Sequence, residues 1–138
     1  MSGNLRLSVA LLLAAVAPSQ AQSREPLIVD AKLGTQLTVA QIQRVVVGNT
    51  LSWGAPGATR FQFVGRDGML RGGDDKGKRY TLKWHFRRYD NLFCLDSGDP
   101  ASSGCVQLLR QGDQISYRRK DGVVELTATV VRGNARGL

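Results

Sequence analysis

The sequence predicts a mainly β protein, with a single small antiparallel sheet, arranged as a meander or barrel, and one short N-terminal helix. Three observations lead to this prediction. From Thr50 onward, apolar and polar residues alternate with the period of two that is typical of strands with one buried face. Short turn signals separate these runs, so consecutive strands must pair as antiparallel neighbours. Ahead of the strands, one segment has the apolar spacing and end signals of a helix.

The N-terminus has the order of residues found in secretory signal peptides. A charged start that includes Arg6 is followed by the apolar run "LSVALLLAAVA" and by small residues ending at Ala21. The apolar run is shorter than the roughly 20 residues that a helix needs to cross a bilayer. We therefore expect residues 1–21 to be a signal peptide cleaved after Ala21, and the mature chain to be periplasmic or secreted, without a transmembrane segment.

The mature chain is expected to hold a loose leader, residues 22–36, and a single β-rich domain, residues 37–138. The helix falls at the start of this domain, in "LTVAQIQRVVVGNT". Thr38 and Gln41 have the spacing of a capping box, and Gly48 supplies a left-handed stop. The face predicted to pack on the sheet contains Val39, Ile42, Val45 and Val46. A competing interpretation is a strand through "RVVVG", because consecutive valines favour β structure.

The strand pattern is clearest in two segments. In "RYTLKWHF" the residues predicted to share the inner face are Tyr80, Leu82, Trp84 and Phe86. In "GVVELTATV" they are Val124, Leu126, Ala128 and Val130. Shorter runs such as "FQFVG", "NLFCLD", "CVQLLR" and "QISYRR" fit the same pattern, and turns such as Asp67-Gly68 and Asp121-Gly122 separate them.

The chain has two cysteines, Cys94 and Cys105. A zinc site needs about four ligands, and these thiols with the single histidine, His85, are too few. The spacing also differs from the C-x-x-C of redox proteins. Because an exported protein meets oxidising conditions, we expect a structural disulfide at the feet of a long loop, with a labile redox switch as the alternative.

Other residues with reactive side chains form no recognisable catalytic pattern. His85 lies on the predicted solvent face beside Lys83 and Arg87, and "GRDGMLRGGDDKGKR" lacks the spacing of a phosphate-binding loop. Asp67, Asp74 and Asp75 do not form a calcium ladder, and Asp96 and Asp99 are predicted to lie at a solvated hairpin tip. We therefore predict no catalytic residues, no metal site, no cofactor and no enzymatic activity.

The chain is basic, with a formal net charge of +8 that falls by the one charge of Arg6 after cleavage. Such a charge favours anionic partners, although it also keeps small domains soluble. Export makes nucleic acid an unexpected physiological partner. The candidate anion-binding residues are Lys83, Arg87, Arg88, Arg118, Arg119 and Lys120.

The order of several short motifs resembles a family of small exported bacterial proteins of unknown function. These motifs are "LTVAQIQRVVVGNTL", "RDGMLRG", a strand bearing Trp84, "FCLD", a second cysteine, "DGVV" and "VRGN", within residues 37–134. The resemblance implies a short helix followed by a "GN" step, an antiparallel sheet with "DG" turns and two cysteines in adjacent strands. It implies no activity.

These observations favour an exported, non-catalytic binding or accessory domain of the cell envelope that recognises an anionic component or an acidic protein through a basic face. One alternative is a small barrel carrying a hydrophobic ligand, for which Phe61, Phe63, Trp84 and Phe86 are the predicted inward aromatic residues. Another is an inhibitor of an acidic hydrolase, since charge complementarity excludes a basic one. The sequence does not define the oligomeric state.

Overall fold

The computed structural model describes residues 25–138. The predicted signal peptide, residues 1–21, lies outside the described residues. The helix and strands are β1 (Val29–Asp30), β2 (Gly34–Gln36), α1 (Val39–Val45), β3 (Thr50–Ala55), β4 (Ala58–Val64), β5 (Met69–Asp74), β6 (Arg79–Arg87), β7 (Leu92–Asp96), β8 (Gly104–Gln111), β9 (Gln114–Arg118) and β10 (Val124–Val131).

Strands β3 to β10 form a closed antiparallel barrel of eight strands. Each strand pairs with the next along the chain, and β10 pairs back to β3 with Leu51 opposite Val130. The predicted antiparallel fold and its short N-terminal helix are therefore confirmed, and the sheet is closed. Closure leaves one interior, into which every strand directs alternate side chains.

Helix α1 seals one end of the barrel. The predicted capping box is present, with the Thr38 side chain accepting from the Gln41 amide, and Gly48 has a left-handed φ of 84° in the turn that follows the helix. Ile42 and Val46 are fully buried in the barrel core, which stabilises the fold by roughly 1.5–3 kcal/mol for each side chain. The competing strand through "RVVVG" is therefore wrong, because Val45 is the last residue of α1 and Val46 and Val47 lie in the turn that follows it.

Part of the predicted loose leader belongs to the sheet. Strand β2 pairs with β8, which places Thr35 opposite Arg110 and Gln36 opposite Leu109. β2 therefore pairs with the part of β8 that lies beyond the pairing of β8 with β7. Gln36 is only 3% exposed, and its amide nitrogen donates to the carbonyl of Asp90 at 3.3 Å. Residues 29–36 are thus fixed by ladder pairing and by this buried amide, and the prediction of a loose leader is wrong for them.

Two predictions about strand faces also need correction. Phe61 and Phe63 lie on the outer face of β4, because Gln62 and Val64 between and beside them point into the barrel. The Phe61 ring is nevertheless 1% exposed, since Arg79 and Arg136 place their guanidinium carbons 5.2 and 4.8 Å from its centroid.

In β10 the register shifts between Val124 and Leu126, which leaves Val124 40% exposed. Val124 therefore does not share the inner face with Leu126 and Ala128, both of which contribute to the core. On β6 the predicted inner face is confirmed, because Tyr80, Leu82, Trp84 and Phe86 all pack against the barrel core.

The barrel has two dissimilar ends. The helix end carries α1 and the connections at 65–68, 88–91 and 112–113. The opposite end, here called the mouth, carries the connections at 56–57, 75–78, 97–103 and 119–123. In the part of the chain that the structure describes, no helix is long and apolar enough to cross a membrane.

The predicted disulfide joins Cys94 of β7 to Cys105 of β8, which lie directly opposite each other in the ladder. The loop above it is held by its own polar groups. Asp96 accepts from the Gly98 amide, and Asp99 caps a short 3₁₀ turn at the Ala101 amide. These hydrogen bonds agree with the interpretation of Asp96 and Asp99 as residues of a polar hairpin tip.

Replacing both cysteines by alanine is expected to lower the free energy of unfolding by about 3 kcal/mol, because the unfolded chain loses a cross-link. Urea unfolding of the oxidised wild type and the variant measures this difference. The reduced wild type serves as the control and should unfold like the variant. Equal stability of the oxidised wild type and the variant would contradict a stabilising role for the disulfide.

Candidate functional site

The interior of the barrel has a fully buried centre and partly buried side chains towards both ends. Leu51, Leu70, Leu108 and Ile115 are fully buried. Inward side chains that are only partly buried against this core include Trp53, Tyr80, Leu95 and Leu126 at the mouth, and Trp84, Phe86 and Val130 nearer the helix end. The mouth therefore presents apolar surface on the concave side of the sheet.

A chain of hydrogen bonds crosses the interior below the mouth. The Gln62 side-chain nitrogen donates to the Tyr80 hydroxyl at 2.8 Å, and the Tyr117 hydroxyl donates to the Gln62 side-chain oxygen at 3.1 Å. Gln62 is 6% exposed and Tyr117 is 1% exposed. Because a buried amide without partners would be costly, this chain fixes the orientation of all three side chains.

Both phenols remain protonated at neutral pH. Burial raises the pKa of the Tyr117 hydroxyl far above its usual value. Burial also raises the pKa of Tyr80, while the hydrogen bond from Gln62 opposes that change. The Tyr80 hydroxyl accepts from Gln62 and donates its proton to no other described residue. Tyr80 also lines a cleft at the mouth, so its hydroxyl can act as a hydrogen-bond donor there.

Two consecutive glycines make room for different groups at the mouth. A Cβ atom on Gly72 would overlap the Tyr80 ring, and one on Gly73 would overlap the Lys78 carbonyl oxygen. A larger residue would therefore displace the ring at Gly72 and the backbone before β6 at Gly73. The sequence "RGGD" is thus required by packing at the mouth.

Two clefts open at the mouth. The smaller has a volume of about 70 Å³ and is lined by Trp53, Arg60, Gly73, Asp74, Lys78 and Tyr80. The larger, of about 340 Å³, lies under the loop that follows β7, and its lining includes Leu95, Ser102, Ser103, Val106, Arg119 and Glu125. The larger volume is at the lower end of the range of small-molecule sites in proteins.

Charges of both signs surround the smaller cleft. Arg60 is exposed at the rim and forms no ion pair with another residue of 25–138. The Asp74 carboxylate accepts from the backbone amides of Lys76 and Lys78 at 2.9 and 3.0 Å. The pKa of Asp74 is lowered chiefly by the Lys78 amide. The Asp74 carboxylate therefore accepts from the amides of its own turn, and Arg60 acts on it through charge without forming an ion pair.

The predicted anion-binding residues are largely engaged with carboxylates. Arg87 and Lys120 converge on Asp90, at 2.6 and 3.2 Å, and the Asp90 side chain is 0% exposed. Lys120 also contacts Glu25 at 3.2 Å. The structure thus brings the two turns together, as expected, but around a shared carboxylate.

The remaining candidates are distributed over the surface. Arg119 pairs with Asp121 at 2.6 Å, and Lys83 lies opposite Asp96 in the ladder. Arg88 stacks over the Phe86 ring at 5.9 Å, and Arg118 donates to the Gln107 side chain at 2.6 Å. That these residues bind an anion stays a prediction.

His85 lies opposite Cys94 on the outer face, where a cleft of about 580 Å³ is lined by His85, the disulfide and the loop above it. Among residues 25–138 no group of histidine, cysteine and carboxylate side chains has the arrangement of a metal site. The His85 imidazole therefore lies beside the disulfide, and we assign no nucleophile to this histidine.

Sequence reasoning missed the polar chain and Arg60. The signal was present in "RFQFV". Because alternate residues of a strand point to opposite faces, Gln62 shares a face with Val64, and the two phenylalanines lie on the other face. Assigning the larger aromatic side chains to the interior placed the strand in the wrong register. The correct register puts Arg60 on the concave side at the rim.

Comparison with models of protein families, with curated proteins and with solved structures finds no match to this chain. The resemblance to a family of small exported proteins therefore stays a prediction.

Asp90 is expected to make stability depend on acid pH. Hydrogen bonds from Arg87 and then Lys120 hold its pKa below the usual value, so its contribution is present above the unfolded pKa of about 3.9 and is lost as the pH falls through the folded pKa. Asp90→Asn should cost about 1–3 kcal/mol at pH 7. Urea unfolding across the acid range measures this difference, which should shrink below about pH 4.

Asp121→Asn is the matched control, because Asp121 forms an exposed pair with Arg119 and should cost less than about 1 kcal/mol. A cost for Asp90→Asn that is equally small, or that does not change with pH, would contradict the role assigned to the buried carboxylate.

Proposed function

We propose that this protein is an exported, non-catalytic binding domain that holds a small ligand with an apolar body at the mouth of its barrel. Export is supported by the signal-peptide pattern of residues 1–21. The barrel is supported by the closed ladder from β3 to β10. The proposal combines the predicted binding role with the alternative of a barrel that carries a hydrophobic ligand.

One observation carries this proposal: inward apolar side chains at the mouth are only partly buried, and they line concave clefts there. Trp53, Leu82, Leu95 and Leu126 belong to the inner face but are not fully buried. Fully burying such a side chain stabilises a protein by about 1.5–3 kcal/mol, so a filled barrel would be the more stable arrangement. Concave apolar surface with a few convergent polar groups is typical of ligand sites.

An uncharged naphthylamine dye tests this site, because its fluorescence rises when it leaves water. Leu126→Arg places a charge at the mouth and should weaken dye binding by about tenfold or more, since burying an unpaired charge is costly. Val131→Arg is the matched control in the same strand, since Val131 is 39% exposed. Thermal unfolding confirms that both variants are folded. Loss of binding in neither variant, or in both equally, would refute the mouth as the site.

A second function is favoured by the guanidinium groups that have no carboxylate partner. Arg88 and Arg118 form no ion pair with another described residue, and they lie two residues along the chain from Asp90 and from Lys120, respectively. We propose that they contribute to contact with an anionic component of the envelope. Guanidinium groups suit phosphate and carboxylate recognition.

Vesicles containing an anionic phospholipid test this contact. Arg88→Glu combined with Arg118→Glu should abolish binding at low salt, and raising the salt concentration should weaken wild-type binding steeply. Arg44→Glu combined with Arg132→Glu produces the same change in net charge elsewhere on the surface. Equal loss in both double variants would show that only net charge matters and would refute a specific basic face.

A further inference from the structure

We infer that the ligand held at the mouth carries an oxyanion, a carboxylate or a phosphate, and that Arg60 binds it beside the Tyr80 hydroxyl. This inference rests on the proposed function of the mouth as a ligand site. It adds the chemical class of the ligand and the residues that recognise it.

The position of Arg60 follows from the register of β4. In the ladder Arg60 lies opposite Trp53 of β3 on one side and Asp74 of β5 on the other. It has the inward parity of Gln62 but lies one step nearer the mouth, where water still reaches it. A guanidinium group at such a rim is already at the site, and it can form hydrogen bonds to a carboxylate or phosphate there.

The neighbouring carboxylate does not neutralise Arg60 by direct contact. Asp74 is held by the backbone amides of the turn that joins β5 to β6, at 2.9 and 3.0 Å, and forms no ion pair within 25–138. Lys78 lines the same cleft as Arg60. The cleft therefore contains two cations, Arg60 and Lys78, and one carboxylate, Asp74, some of whose acceptor positions are used by the turn. The net positive charge of these three groups is complementary to an anion.

The Tyr80 hydroxyl supplies a second donor that is already oriented. Its oxygen accepts from Gln62 at 2.8 Å, and Gln62 is itself held by the buried Tyr117 hydroxyl. The only proton on the Tyr80 oxygen is then left for an acceptor in the cleft. Fixing a donor before the ligand arrives reduces the entropy lost on binding.

The remaining walls define the rest of the ligand. The cleft of about 70 Å³ has room for an anionic head group, and its lining includes the Trp53 indole. Because flat apolar groups pack well against an indole face, the body next to the anion is expected to be aromatic or otherwise flat. The preferred ligand is thus a small amphipathic anion with a flat apolar body.

Naphthoate, naphthamide and naphthyl phosphate test this assignment, because the first two have nearly the same shape and differ in charge. Binding to the full mature chain is measured by calorimetry and by quenching of tryptophan fluorescence. We expect naphthoate or naphthyl phosphate to bind at least about tenfold more tightly than naphthamide, as charge-assisted hydrogen bonds are stronger than neutral ones. The tighter of the two anions identifies the head group.

Arg60→Gln should remove most of this preference while leaving naphthamide affinity unchanged. Tyr80→Phe should weaken anion binding by a smaller factor, about threefold to tenfold. Arg44→Gln is the matched control, since Arg44 is exposed on α1 at the helix end. Thermal unfolding of each variant shows that the fold is retained.

The outcomes separate this inference from the proposed function. If naphthamide binds as well as the anions and Arg60→Gln has no effect, the oxyanion assignment is wrong while the mouth remains a ligand site. Equal loss of anion binding in Arg60→Gln and Arg44→Gln would also overturn it, because binding would then follow net charge alone. If neither the naphthalene compounds nor the uncharged dye bind, both proposals fail.

Discussion

The pairing of β10 with β3 is the constraint on which the rest of the structure depends. That ladder joins the last strand to the first strand of the barrel and leaves no free edge between them. Once the sheet is closed, alternate residues of every strand must share one interior. A single polar residue in the inward series, such as Gln62, must then find its partners inside. Gln62 does so with hydroxyl groups from two other strands, Tyr80 and Tyr117.

The same closure explains why the two ends differ. The chain enters the barrel through α1, so Ile42 and Val46 are available to seal the end from which β3 starts. The described chain places no equivalent apolar element over the other end, where polar turns and the loop above the disulfide lie. Trp53 and Leu95 retain exposed surface there, and Phe86 and Val130 retain some towards the helix end. The difference in covering elements follows from the order of elements along the sequence, and it is consistent with the ligand site that we propose at the mouth.

Much of this fold could be predicted from short-range patterns. The capping box at Thr38, the alternation along β6 and the disulfide all depend on local spacing and on chain chemistry, and the structure confirms them. The register of β4 could not be predicted by assigning the largest apolar residues to the interior. Phe61 is buried outside the barrel by Arg79 and by Arg136, which is distant in sequence, and this contact has no local signal. The leader presents a similar case, because its pairing with β8 is non-local.

The candidate site also depends on contacts that have no local signal. Arg87 and Lys120 are predicted from the sequence as anion-binding residues because they lie in runs of basic residues. Folding brings both to one buried carboxylate, Asp90, and an ion already paired in this way must break that pair before it can bind an external anion. Arg60 lies opposite Asp74 and acts on that carboxylate through its charge, but the two form no ion pair. Availability for binding therefore depends on the partners that tertiary structure supplies, and for this reason we propose the arginine at the mouth as the anion site in preference to the denser basic surface.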